Sequence, residues 1–145
     1  MGILESVISN QYFKGKSQYR KMNRSGAFNT LFFAVLCNLL MLISIGVVLY
    51  FFSLPTEYDQ ELFHKFIKEH PVLLRSISLL SIGILYMFIY GMYGTPSRFI
   101  YIIKKFNHLP REEKVTVITV ANYYFRLSWI LAAVTTILCY ILIFS

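Results

Sequence analysis

The chain has 145 residues, of which 57% are hydrophobic and 17% aromatic, and its formal net charge is +7 at pH 7. A soluble protein of this length cannot bury so much apolar surface, so an ordinary small globular domain is excluded. The basic residues flank apolar runs without any nucleic-acid-binding motif, and we therefore expect no nucleic acid partner.

The chain opens with a basic segment, residues 1–26, which we expect to lie in the cytosol. The run that follows, residues 27–54, contains no charged residue. A hydrocarbon core of ~30 Å needs only about 20 apolar residues, so this run predicts a first transmembrane helix. It is longer than the ~7 to 15 apolar residues of a signal peptide and no small-x-small cleavage site follows it, which indicates a retained anchor.

Residues 55–71 form a connection on the outer side of the membrane. Leu62, Phe63, Phe66 and Ile67 recur there at helical spacing beside charged residues, which predicts a short interfacial amphipathic helix. The histidines of this connection do not have the spacing of a zinc pair, so we expect no metal site.

The second apolar run, residues 72–93, predicts a second transmembrane helix. Pro71 suits the first turn of a helix, and Gly94 and Pro96 mark its end. Arg75 is the one charged residue in this run, and it lies within a turn of the end, where its side chain can extend to the interface.

A basic segment, residues 94–126, follows and is expected to lie in the cytosol and at the interface. Phe99, Ile100, Ile103 and Phe106 form one apolar stripe in it, and residues 117–125 carry another. We expect four cations near this segment to contact anionic lipid headgroups, at about 1 kcal/mol each. They are Arg98, Lys104, Lys105 and Arg126.

The last apolar run extends from Val115 to Phe144 and is too long for one perpendicular crossing. We divide it at Arg126, so that residues 127–144 form the third transmembrane helix and the Arg126 side chain reaches the inner interface. If the crossing began earlier, Arg126 would be buried and would become a functional candidate.

The Lys and Arg residues predict the orientation of the chain. Five precede the first helix, two lie in the outer connection and five lie between residues 94 and 114. The positive-inside rule then places the N-terminus in the cytosol and the C-terminus outside, as in a multi-pass protein of the cell or inner membrane. Aromatic residues at both ends of the apolar runs agree with this orientation.

Small and polar residues recur on one face of the first and third helices. Such faces let membrane helices approach closely, and Asn38 adds an amide that tends to seek a partner on another helix. The surface serves either internal packing or docking to another membrane protein or a second copy. The candidates are Ala34, Cys37, Asn38, Ser128, Ala132, Thr135 and Cys139.

One stretch resembles a known family. Thr95-Pro96-Ser97-Arg98-Phe99, the basic and apolar run to Lys105-Phe106, and Arg111-Glu112-Glu113-Lys114 resemble the cytosolic segment after the second helix in immunity proteins against pore-forming colicins. Several of those proteins are also small, basic and three-helical. The resemblance implies that the helices bind the pore helices of a toxin and block their opening.

These patterns predict an all-α membrane protein, a single membrane domain of three transmembrane helices with short interfacial amphipathic helices. No hydrolase or nucleotide-binding motif is present, so we expect a protein that is not an enzyme and that needs no cofactor. We expect it to act by helix association, as an accessory subunit or as an immunity protein. The alternative is a small oligomeric transporter or channel, although the transmembrane runs contain no acidic residue.

Overall fold

The computed structural model describes residues 1–17 and 24–144, and all regular secondary structure in this part of the chain is helical. Arg20 and Lys21 lie outside the described residues, as do the side chains of Lys14 and Lys16. The predicted cytosolic charges of these four residues therefore lie outside the described part of the chain. The helices are α1 (Ile3–Ser17), α2 (Arg24–Ser53), α3 (Glu57–Glu69), α4 (Pro71–Ile89), α5 (Pro96–Asn107) and α6 (Arg111–Phe144), and a π-helical turn, Tyr90–Gly94, continues α4.

Three of these helices are long and apolar enough to cross a membrane: Arg24–Ser53, Pro71–Gly94 and Arg111–Ile143. The first two match the apolar runs predicted from the sequence to within a few residues. The third differs, because α6 passes through Arg126 without a break and is about 51 Å long at 1.5 Å per residue. Residues 111–144 contain no glycine or proline, and an exposed arginine does not interrupt a helix, so the separate interfacial helix predicted before residue 127 does not exist.

The helices α2 and α6 lie side by side and run in the same direction. Their contacts advance together along both helices, from the ring contact of Phe33 with Phe125 to the hydroxyl pair of Ser44 with Thr136. Buried alanine, serine and cysteine residues let the two backbones approach closely along this interface. This pair is the most extensive helix contact in the described structure.

The best-packed region lies at the end of the molecule where α2 and α6 begin, and α1 is at its centre. Val7 and Ile8 are fully buried there among residues from α2, α5, α6 and the end of α4. The sequence prediction of a plain basic segment over residues 1–26 was therefore incomplete. Leu4, Val7, Ile8 and Tyr12 recur at helical spacing, and that apolar face packs against the other helices.

The apolar face of α5 is also buried inside the protein. Phe99, Ile103 and Phe106 are buried, and α1 covers them through ring contacts of Tyr12 with Phe99 at 5.7 Å and of Phe13 with Phe106 at 4.9 Å. Ile100, the fourth residue of the predicted stripe, is exposed. The predicted helix exists, but its apolar face packs on α1, because α1 offers the complementary apolar surface.

The helix α3 confirms the short amphipathic helix predicted in the outer connection. Its N-cap is Thr56, whose hydroxyl oxygen accepts a hydrogen bond from the backbone N–H of Asp59 at 3.2 Å. Phe63 packs against Tyr50 and Phe51 at the end of α2, with ring centroids 5.9 and 5.8 Å apart. These contacts place α3 against the far end of α2, opposite the end where α1 packs.

Candidate functional site

The predicted association residues lie mainly at the contact between α2 and α6. Four of them are buried there, namely Ala34, Cys37, Ser128 and Ala132. Thr135 and Cys139 are half-buried beside Ser44 in a small apolar groove of the same contact. The structure therefore uses these small residues to pack the chain against itself, which was the first of the two roles considered for them.

Polar side chains join α6 to its neighbours at three levels. The Asn38 side-chain amide donates a hydrogen bond to the Tyr124 hydroxyl. The Ser44 and Thr136 hydroxyls lie 3.5 Å apart further along the same helices. At the α1 end, Asn10 and Asn122 bond through their side chains at 2.8 Å. The Thr136 hydroxyl also donates to the backbone carbonyl of Ala132 at 2.7 Å. The two asparagine bonds pair side-chain polar groups between helices in an apolar setting, and they therefore fix the register of α6 against α1 and α2.

The helix α4 has a different environment, because it touches the rest of the described chain almost only near its two ends. Near its C-terminal end, Tyr86 and Tyr90 pack edge-on against the ring of Phe28 at 5.3 and 5.4 Å, and Ile89 is buried. Only 6% of its candidate span is buried, compared with 22% for that of α2. The middle of α4 therefore lies away from α2 and α6.

One face of α4 continues from the packed end into this open region. Leu74, Ser78, Ser81, Leu85 and Ile89 follow one another at steps of three and four residues and so lie on one side of the helix. Burial declines along this side from Ile89, through half-buried Leu85, to exposed Ser81 and Ser78. Leu74, at the far end of this side, is half-buried again. We call the exposed part, Ser78 and Ser81, the open face of α4.

The serines on α4 do not need a partner for their hydroxyl groups. Ser78 donates to the backbone carbonyl of Leu74 at 2.8 Å, and Ser81 donates to that of Ile77 at 2.8 Å. Each hydroxyl is thus satisfied inside the helix, while the small side chain leaves room for the backbone of another helix. The open face is therefore suited to close helix packing.

The four predicted lipid-contacting cations fall into three environments. Arg98 and Lys104 are exposed on α5. Arg126 is exposed on α6 and lines a small polar pocket. Lys105 has a partner within the chain, because its Nζ atom lies 3.0 Å from Oε2 of Glu5 on α1. Lys105 therefore holds α1 against α5, a role that the sequence did not predict.

The pair of Glu5 and Lys105 changes the acidity of both groups. Partial burial alone would raise the pKa of Glu5, but hydrogen bonds from Lys105 and from the backbone N–H of Gly2 hold it below its usual value. The hydrogen bond with Glu5, followed by its negative charge, raises the pKa of Lys105. Both groups therefore remain charged at neutral pH, and the contact between α1 and α5 is an ion pair.

Sequence reasoning missed Asn10, Asn122 and Glu5 as structural partners. The apolar spacing of α1 was visible in the sequence, and it would have predicted a helix whose polar residues face either solvent or another helix. Nothing in the sequence indicates which residues pair, since Asn10 and Asn122 are 112 residues apart.

No protein-family model, curated protein sequence or solved structure matches this chain. The resemblance of residues 95–114 to colicin immunity proteins gains no support from these comparisons.

Proposed function

We propose that the chain is an integral membrane protein without enzymatic activity, that it crosses the membrane three times, and that its N-terminus is cytosolic and its C-terminus external. Three long apolar helices support the crossings. The five, two, five distribution of Lys and Arg supports the orientation. The packed region around α1 then lies at the cytosolic face and α3 at the outer face, in the cell or inner membrane.

In this arrangement the protein acts by helix association, and the open face of α4 is the surface that binds the partner. The observation that carries this proposal is the contrast between the α2 and α6 pair, whose small residues are buried against each other, and α4, whose small residues are exposed. Packing and interhelical hydrogen bonds, rather than a hydrophobic drive, bring helices together in lipid. A transmembrane helix of a partner that packs on Ser78 and Ser81 would gain the contacts that α4 lacks.

Two kinds of partner fit this surface: a membrane protein of the same cell, which makes the chain an accessory subunit, and the pore helices of a toxin, which makes it an immunity protein. We favour the accessory role. The toxin-binding role derives from a resemblance over residues 95–114, and the apolar residues Phe99 and Phe106 of that stretch are buried against α1 and are not free to bind.

A photo-crosslinking residue introduced at position 78 or 81 tests the proposal in native membranes. Position 76 is the matched control, because Ser76 is also exposed and also donates to a carbonyl in its own helix, at 2.9 Å to Val72, but it lies on the opposite side of α4. We expect a discrete crosslinked protein from positions 78 and 81 and none from position 76. Equal crosslinking to protein from all three positions, or none from any of them, would show that the open face does not differ from the opposite side of α4 and would contradict the proposal.

The mass of the crosslinked species distinguishes the partners. A product of twice 17.0 kDa would identify a second copy of the chain, whereas another mass would identify an accessory or toxin partner. The variant Ser78→Leu should reduce the crosslink from position 81, because its bulk blocks close approach, while Ser76→Leu should leave that crosslink unchanged.

A further inference from the structure

A small polar pocket lies on the face of α6 that carries Arg126. Thr119, Asn122, Tyr123 and Arg126 line it, and its volume is about 200 Å³. These residues follow one another at steps of three, one and three, so they project from the same side of the helix. The Thr119 hydroxyl donates to the backbone carbonyl of Val115 at 2.9 Å. The pocket therefore offers an anion three kinds of donor: the Arg126 guanidinium group, the Tyr123 hydroxyl and the side-chain NH₂ group of Asn122.

The charge of Arg126 has no acidic partner in the described residues. The ion pairs found there are Lys65 with Glu69 and Lys105 with Glu5. The nearest acid on the same helix, Glu113, lies 13 residues earlier, about 20 Å along the axis. An exposed arginine without an acidic partner at the interface is free to attract the negative charge of a lipid headgroup.

An apolar groove begins one turn further along the same face of α6. It lies between α2 and α6, has a volume of about 470 Å³, and is open to the outside. Its lining on α6 includes Ala132 and Thr136, which turn toward α2, and Trp129, Ala133 and Ile137. The last three lie three, seven and eleven residues after Arg126 and therefore continue its side of the helix. From Trp129 to Ile137 the groove extends about 12 Å along the helix axis.

We propose that this face of α6 binds one anionic phospholipid of the cytosolic leaflet. The phosphate group accepts hydrogen bonds from Arg126, Tyr123 and Asn122 in the polar pocket, and one acyl chain lies in the groove between α2 and α6. The positions of the two features along α6 carry the proposal. The polar pocket lies nearer the interface and the apolar groove lies deeper, and a phospholipid likewise has its charged group at the interface and its acyl chains deeper in the membrane. A guanidinium group binds a phosphate through paired hydrogen bonds, and the ligand supplies the missing counter-charge.

Trp129 is the only tryptophan of the chain and lines the groove, so its fluorescence reports on the occupant. The protein is reconstituted into phosphatidylcholine vesicles that contain a small fraction of a brominated lipid, either phosphatidylglycerol or phosphatidylcholine. The brominated acyl chains of both lipids quench tryptophan on contact. We expect brominated phosphatidylglycerol to quench Trp129 more strongly than brominated phosphatidylcholine does, and we call this difference the excess quenching. One basic contact of about 1 kcal/mol corresponds to a preference of about fivefold in occupancy. Equal quenching by both lipids would overturn the proposal.

Two pairs of variants separate the pocket from the groove. Arg126→Gln should abolish the excess quenching, whereas Arg111→Gln, an exposed arginine at the start of the same helix, should retain it. Ala133→Leu fills the groove and should also reduce the excess, whereas Val134→Leu, at an exposed position that does not line the groove, should not. An excess that persists in Arg126→Gln would contradict the proposal. If Arg126→Gln does not fold, an excess that persists in Ala133→Leu would contradict it instead.

Inorganic phosphate distinguishes a lipid headgroup from a free anion. Millimolar phosphate should leave the excess quenching unchanged, because the acyl chain in the groove holds the lipid in place. If phosphate abolished the excess, the pocket would bind a free anion and the proposal of a phospholipid would fail.

Discussion

The side-chain amide of Asn10 donates a 2.8 Å hydrogen bond to the side-chain carbonyl oxygen of Asn122, and this bond joins the first helix of the chain to the last. Asn10 is buried, so the bond lies inside the packed region formed by α1, α5 and the N-terminal ends of α2 and α6. The N-terminal helix is thus an integral part of the structure.

Asn10→Ala should destabilise the protein by about 1 to 3 kcal/mol, because it removes a buried amide and leaves the half-buried Asn122 carbonyl oxygen without its donor. Asn29→Ala, at an exposed position on α2, is the control and should change stability by less than about 0.5 kcal/mol. Thermal unfolding in detergent micelles measures both variants. If Asn10→Ala and Asn29→Ala had equal effects, the bond would not contribute to holding α1 in place.

The ion pair of Glu5 and Lys105 predicts a dependence of stability on pH at both extremes. The pKa of Glu5 is lowered in the folded state, so its contribution is complete above the ordinary value of 4.5 and is lost as the pH falls through the lowered value. The pKa of Lys105 is raised, so its contribution is complete below 10.5 and is lost as the pH rises through the raised value.

The variant Glu5→Gln should remove the loss of stability that the ion pair causes at acid pH. The unfolding temperatures of wild type and variant, measured from pH 3 to pH 7, should therefore converge as the pH falls. Glu69→Gln is the control, because Glu69 and Lys65 form an exposed pair at 3.8 Å that should contribute little. A difference between wild type and Glu5→Gln that does not change over this range would show that the ion pair does not stabilise the folded state.

The aromatic ring of Tyr90 rests directly on Gly94 at the π-helical turn. A Cβ atom at position 94 would lie 2.8 Å from Cε2 of Tyr90 and closer still to another atom of the ring. Gly94→Ala should therefore displace the ring from Phe28 and cost about 1 to 3 kcal/mol. A Cβ atom at position 91 would meet no atom within 4 Å, so Gly91→Ala should be neutral or stabilising. Comparing the two variants by thermal unfolding separates the close contact at position 94 from the general effect of replacing a glycine in a helix.

Ala132 is buried in the contact between α2 and α6, whereas Val134 is exposed on the other side of α6. Ala132→Leu should cost about 1 to 3 kcal/mol by overpacking, while Val134→Leu adds apolar bulk where lipid can adapt and should be nearly neutral. The amount of folded protein after purification and its unfolding temperature test both variants. Equal values for the two variants would contradict the close packing of α2 against α6.

The sequence predicted the long apolar helices and α3 because their signals are local. Length and the absence of charge mark α2, and the spacing of Phe63 and Ile67 marks α3. The helix α1 was missed because many of its residues are polar and its amphipathic pattern is weak. Its apolar residues are few, and they become significant only once α5 and α6 provide a surface to cover them.

The candidate site was less predictable, because it depends on which helices pack together. The small residues of α2 and α6 were recognised, but the sequence could not show that those two helices use them on each other and leave α4 open. Asn38 was expected to seek a partner, yet Tyr124 lies 86 residues away and carries no local signal of this pairing. Similarly, Arg126 was identified as an interfacial cation, but the apolar groove beside it depends on how α2 lies against α6.

The proposed association and the lipid site both require three crossings with a cytosolic N-terminus, and a topology reporter tests this claim most directly. A reporter enzyme that folds only outside the cytosol is fused in turn after Pro55, after Asn107 and after Ser145. We predict activity for the fusions at Pro55 and Ser145 and none for the fusion at Asn107, because the stretch around Asn107 carries five basic residues. Activity at Asn107 together with its loss at Pro55 would reverse the orientation and contradict the account.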